Sequence, residues 1–169
     1  PNIAPFISRQ LIQFLVTSNP SSNYIARVAA KFIDNGAGKR GELSAVVRAI
    51  LLDEEARDAR WWKGAPQFGR LKEPVQRAMA MARVGRLANY TNLIWWTWGE
   101  FYQSALQEPT YSPSVFNFYR PDYRPPGLLT QYGLAGPAFQ ITDSYSSIAF
   151  ANKLWEVTET GLKLYDVYG

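Results

Sequence analysis

Along the first fifty positions the apolar residues recur at helical spacing. Ile7, Leu11, Phe14 and Leu15 follow an i, i+4, i+7, i+8 pattern with Arg9, Gln10 and Gln13 on other faces, which predicts a helix over about 4–17. Ser18-Asn19-Pro20-Ser21-Ser22 stops it and offers hydroxyl caps to a second helix over about 22–34. In that helix Ile25, Val28, Ala29, Phe32 and Ile33 lie opposite Arg27 and Lys31. A third stripe, Leu43, Val46, Val47, Ile50 and Leu51, predicts a helix over about 42–58, the charged run Asp53–Arg60 either extending it or adding a short one. Short connections require consecutive helices to pack on one another.

Gly64, Pro66 and Gly69 punctuate a loop from Trp61 to Leu71. Glu73-Pro74 opens the next helix, about 74–86, because proline is well accommodated at the first helical position. Residues 89–106 are the most apolar helix. Leu93, Ile94, Trp95, Trp96, Trp98, Phe101, Tyr102 and Leu106 occupy most of its circumference, which implies burial on several sides or contact with further protein. The stretch 107–140 holds six prolines and four tyrosines and reads as an irregular, packed aromatic cover, with a short helix from Ser112-Pro113 to Phe118. Thr142 is placed as the cap of a last helix over about 143–160, with Tyr145, Ile148, Ala149 and Trp155 facing inward and Gly161 ending it. The tail Leu162–Gly169 is left open between a short strand and a loose end. The fold class is all-α: a multi-helix, bundle-like domain with a long Pro- and aromatic-rich irregular loop, residues 1–169 forming a single helical domain or a fragment of a larger helical protein.

Between the second and third helices runs Asp34-Asn35-Gly36-Ala37-Gly38-Lys39-Arg40-Gly41. Gly38-Lys39 before a helix suggests a phosphate loop, but position 33 is Ile where that motif needs Gly, and position 40 is Arg where it needs Ser or Thr. An EF-hand fails too, since Gly36 and Gly38 stand where oxygen ligands are required. A helix-to-helix turn with glycine in left-handed positions accounts for the run better. A cation held by Asp34, Glu42 and backbone carbonyls is the minor reading.

Composition then narrows the chemistry. The 169 residues include no Cys and no His. That removes disulfides, thiolate nucleophiles, the commonest general base and the commonest transition-metal ligand, leaving carboxylates, Lys, Tyr, Ser and Thr. No cofactor and no metal site is expected. The net charge of +4 is uneven: residues 61–90 carry six cations against Glu73 alone. Arg77, Arg83 and Arg86 diverge around a helix rather than forming a stripe, so a solvated surface is favoured and no nucleic-acid partner is expected. No run of about 18 apolar residues exists, so no membrane span is expected. Pro1 opens the chain without a leader-like segment, which suggests a fragment or a processed chain.

Several stretches in order carry a resemblance: Pro1-Asn2-Ile3-Ala4-Pro5-Phe6, Leu15-Val16-Thr17-Ser18-Asn19-Pro20, Arg40-Gly41-Glu42-Leu43, Leu71-Lys72-Glu73-Pro74-Val75, Ser114 to Pro121, and Phe139-Gln140-Ile141-Thr142. Together they resemble the bacterial family known as domain of unknown function 1800, from Pro1 to about Asn152. The resemblance implies an internal to C-terminal portion of a longer helical protein, usually exported, hence periplasmic, cell-surface or secreted. It implies no catalytic residues for this stretch, and the histidines of such proteins would lie mainly upstream.

Three functions are open. The first is a structural or protein-interaction segment of an exported, envelope-associated bacterial protein, its partners being the remaining segments of the same protein or another chain. The second is part of an enzyme acting on surface polymers, with acid and base drawn from Glu73, Glu100, Asp122 or Asp143 near Tyr119 or Arg120. The third is a carbohydrate-binding module built on exposed Trp and Tyr rings. The candidate interaction residues are Trp95, Trp96 and Trp98 on the aromatic helix, with Asn117, Tyr119 and Arg120 in the loop.

Overall fold

The computed structural model describes residues 2–65, 67–85, 106–108, 110–115 and 117–160. Every regular element among them is helical: α1 (Ile3–Leu15), α2 (Ser22–Ile33), α3 (Leu43–Leu52), α4 (Glu54–Arg57), α5 (Ala59–Gly64), α6 (Pro74–Val84), α7 (Leu128–Gln131), a 3-10 turn over Pro137–Ile141, and α8 (Ser144–Thr160). The all-α class is thereby met. The chain divides into two compact units, Pro1–Leu71 with Pro121–Pro137, and Lys72–Arg120 with Ala138–Gly169. The expected aromatic helix 89–106, up to residue 105, and the tail 162–169 lie outside the described residues.

In the first unit α1, α2 and α3 pack around Ile12, Tyr24, Val28, Val46 and Ile50, all fully buried. Each such aliphatic side chain stabilises the fold by about 1.5–3 kcal/mol relative to exposure. The phase of α1 differs from expectation. Ala4, Ser8 and Ile12 are buried, Ile7, Leu11 and Leu15 only partly so, and Phe14 is 47% exposed. The reason is that α1 is apolar around most of its girth, so the neighbouring helices decide which arc is covered.

Two boundaries have plain local causes. Ser21 caps α2, its Oγ accepting from the Tyr24 amide at 3.0 Å. The predicted helix 42–58 is divided at Asp53, which turns extended and caps α4 through the Glu55 amide at 3.0 Å. The predicted loop 61–71 also shortens, since Asp58 caps α5 through the Arg60 amide at 2.8 Å.

The segment 121–137 is fixed to this unit by polar anchors. Asn19 Nδ2 donates to the Ala135 carbonyl at 2.9 Å, and the Ala135 amide donates back to Asn19 Oδ1 at 2.8 Å. Gln13 Nε2 donates to the Pro121 carbonyl at 3.3 Å, and within the segment the Gly136 amide donates to the Tyr123 carbonyl at 2.8 Å. Packing by the aromatics was the expectation; instead Tyr132 and Leu128 are largely exposed while Ala135, Gly136 and Pro137 are buried. Small residues bring the backbone close, and the backbone makes the attachment.

In the second unit Glu73 stands at the N-cap of α6 with Pro74 at its first position, as the sequence predicts. Described residues between 112 and 118 form turns rather than the expected short helix. Ahead of α8 the cap is Asp143, not Thr142: Asp143 Oδ1 accepts from the Ser146 amide at 2.7 Å and the Asp143 amide donates to Ser146 Oγ at 2.9 Å. Thr142 instead donates its hydroxyl to the Ala138 carbonyl at 2.8 Å, closing the 3-10 turn. Among the described side chains of α8, Ser146 and Phe150 are buried, whereas Tyr145, Ile148 and Trp155 are more than half exposed.

Candidate functional site

Among the sequence-named residues, the structure joins Glu73 and Tyr119. The Pro74 ring crowds the backbone of the residue before it, so Glu73 enters α6 in a non-helical conformation, φ −58° and ψ 150°. There the residue is 5% exposed. Oε1 accepts from the Tyr119 hydroxyl at 2.6 Å, and Oε2 accepts from Gln107 Nε2. Gln107 Oε1 in turn accepts from the Val75 amide at 3.1 Å, satisfying one of the free donors in the first turn of α6. Glu73 thus joins Gln107 and Tyr119 at the start of α6. A carboxylate against a phenol can pass a proton; here both carboxylate oxygens are engaged, and the bonds tie residues 107 and 119 to the start of α6.

One turn on, Arg77 lays its guanidinium 4.4 Å from the centre of the Phe150 ring. Its Nε is buried without a hydrogen-bond partner among the described residues, and burial lowers its basicity.

A second polar cluster lies in the first unit. Arg27 donates to Asp53 through Nε at 2.8 Å and Nη2 at 2.7 Å, and Nη2 also reaches Glu55 Oε1 at 3.2 Å. The Ser21 hydroxyl donates to that same Glu55 oxygen. Hydrogen bonding to Asp53, ahead of its charge, holds the Arg27 guanidinium above its ordinary range. Tyr24 donates to the Ile50 carbonyl at 2.6 Å; burial, then the charges of Asp53 and Glu55, push its phenol up. Through these bonds one arginine and one tyrosine on α2 fasten the end of α3 and the start of α4.

The glycine run behaves as a turn. Gly36, Gly38 and Gly41 have φ of 101°, 73° and 74°, where a side chain would be strained. Asp34 Oδ1 accepts from the amides of Gly36 at 2.8 Å and Gly38 at 2.9 Å. The chain's own carboxylate therefore occupies the backbone donors that a phosphate loop would offer to its ligand. These bonds, first from Gly36, lower the Asp34 carboxyl below its usual range. Glu42 accepts from Asn35 and pairs with Lys39 at 3.9 Å, so both acids of the minor cation reading face donors. No group of three or more acidic side chains among the described residues is placed to hold a metal.

Of the other candidates, Asn117 is exposed at φ 75°, a backbone position asparagine tolerates better than most residues. The Arg120 amide donates to Gln140 Oε1 at 2.8 Å. Trp95, Trp96, Trp98 and Glu100 lie outside the described residues. Gln107 was missed by the sequence reading, and a lone glutamine in a loop gives no signal that could have found it.

The sequence model of a family described as protein of unknown function (DUF1800) matches residues 1–164. The chain belongs to this family. No curated protein and no solved structure matches it. In this DUF1800 chain no helix among the described residues is long and apolar enough to cross a membrane. Its polar clusters bind parts of the chain to one another.

Proposed function

We propose that this chain is a non-catalytic helical scaffold, a structural and protein-interaction segment of an exported, envelope-associated bacterial protein. The observation that carries the reading is the outer arc of α1. Ile3, Phe6 and Phe14 are 53%, 60% and 47% exposed, and at 100° per residue they fall within one side of the helix, with Gln10 between them and the half-buried Ile7 at its edge. Three large apolar side chains on one side of a helix lower the free energy of the protein when further protein covers them. The polar clusters support the same reading from the other direction. Glu73, Asp53 and Glu55 are sequestered by hydroxyl, amide and guanidinium groups, which suits positions that hold helices together.

The test is a comparison of the intact protein with its Phe6→Ser, Phe14→Ser variant. If α1 meets further protein, the variant loses association or melts at a lower temperature in the intact protein, while the 169-residue chain keeps its melting temperature and becomes more soluble. Unchanged association and melting of the intact protein would remove the interaction reading.

A further inference from the structure

Asn35-Gly36 is the sole Asn-Gly step in the sequence. Glycine leaves its amide nitrogen unshielded, so this is the dipeptide most open to intramolecular attack on the asparagine side chain. In the loop joining α2 to α3, however, every group that the reaction must move is already held. Asn35 Oδ1 accepts from the Ala37 amide at 2.7 Å and the Lys39 amide at 3.2 Å, while Nδ2 donates to Glu42 Oε2. The Asn35 amide donates to the Lys39 carbonyl at 3.1 Å. The would-be nucleophile, the Gly36 nitrogen, donates its proton to Asp34 Oδ1 at 2.8 Å. That carboxylate, held below its usual range first by the Gly36 amide, places negative charge beside a nitrogen that has to become anionic.

We propose that Asn35 is a site of spontaneous deamidation, and that the folded loop sets its rate by locking the Asn35-Gly36 step. In the opened loop, hydroxide removes the Gly36 amide proton and the nitrogen bonds Asn35 Cγ. The Cγ–Nδ2 bond breaks and ammonia leaves, closing a succinimide. Water then adds to either ring carbonyl, giving aspartate or isoaspartate. The net change is one water consumed and one ammonia released. The product cannot close the loop as before: it has no donor for Glu42 and sets a new carboxylate against it, one residue from Asp34. Conversion is therefore a one-way loosening of the α2–α3 connection.

The folded chain and the chain in guanidinium chloride are incubated at the same mildly alkaline pH and temperature, then digested with trypsin. The peptide from Phe32 to Lys39 contains Asn35 as its sole side-chain amide, so its amide-to-acid mass shift reports the site alone. The folded chain should convert at least about tenfold more slowly, because local opening must come first. Glu42→Ala should accelerate the folded reaction and leave the denatured rate unchanged. The Glu42 side chain makes no cap bond to α3, so the helix is retained; Asp34→Ala serves if it is not. A folded rate equal to or above the denatured one would mean that the Ala37 and Lys39 amides activate the carbonyl rather than lock it, and would overturn the gating. Absence of conversion in guanidinium, or indifference to both variants, would overturn the proposal as well.

Discussion

Ser8 lies in the middle of α1, fully buried, with no hydrogen-bond partner for its hydroxyl among the described residues. A buried polar group left unmatched opposes folding, whereas a methyl in its place does not. Ser8→Ala should therefore raise stability by about 1 kcal/mol, read as a higher urea midpoint at unchanged slope. Tyr119 is the opposite case, since its hydroxyl satisfies a carboxylate that water scarcely reaches. Tyr119→Phe should lower stability by about 1–2 kcal/mol in the same titration, because Glu73 Oε1 is left with the distant Gln76 amide at 3.5 Å. Both Glu73 and Tyr119 could be picked out of the sequence as polar residues in apolar or family-like company. Their meeting across 46 residues could not, because nothing in local spacing encodes it. The third member, Gln107, has no chemistry that sets it apart until its partners are seen.

At the scale of elements, what the sequence made legible were features that act within a few residues. The Ser21 cap, the left-handed glycine turn and Pro74 at the head of α6 each follow from backbone geometry of the residue itself. What it hid was phase. On α1 seven large apolar residues leave the buried arc undecided, and on α8 the small Ser146 lies inward while Trp155 lies outward. The α8 cap shows the same limit: Thr142 and Asp143 are both good caps, and the 3-10 turn takes the threonine. Asp143 then has a consequence with pH. Its carboxyl lies below the ordinary aspartate value of 3.8, chiefly through the backbone bond from Ser146. A depressed folded pKa means stability that is fully present above that ordinary value and lost as pH falls through the depressed one. Asp143→Asn keeps a capping oxygen but no charge. The wild-type chain should be the more stable at neutral pH, and the difference should vanish in acid below the depressed value, followed by thermal melts across that range. A difference independent of pH would show that the charge contributes nothing to the cap.

At the scale of the first unit, closure is made by residues far apart in sequence. Asn19 lies in the turn after α1, and Ala135 lies 116 residues further along; the two exchange a pair of hydrogen bonds in the manner of paired strands. Thr17 does the same with Gly69, accepting from its amide at 3.0 Å and donating to its carbonyl at 3.2 Å. The turn after α1, read from sequence as a helix stop and a source of caps, is thus also the place to which two later segments return. Its side chains are short enough to be held rigidly and polar enough to complete a backbone that has no strand beside it. Asn19→Ala leaves the Ala135 amide and carbonyl unmatched at a residue only 7% exposed, which should cost about 2–3 kcal/mol. The loss should be local before it is global. The segment 121–137 carries Leu128 and Tyr132 at 70% and 75% exposure, so once its anchor is removed those positions become accessible to chymotrypsin while the core around Ile12 and Val28 remains folded. Limited digestion should therefore cut the variant within 121–137 under conditions that leave the wild-type chain whole. Equal cutting rates would place the anchor elsewhere, with the Gln13 bond to the Pro121 carbonyl the next to remove.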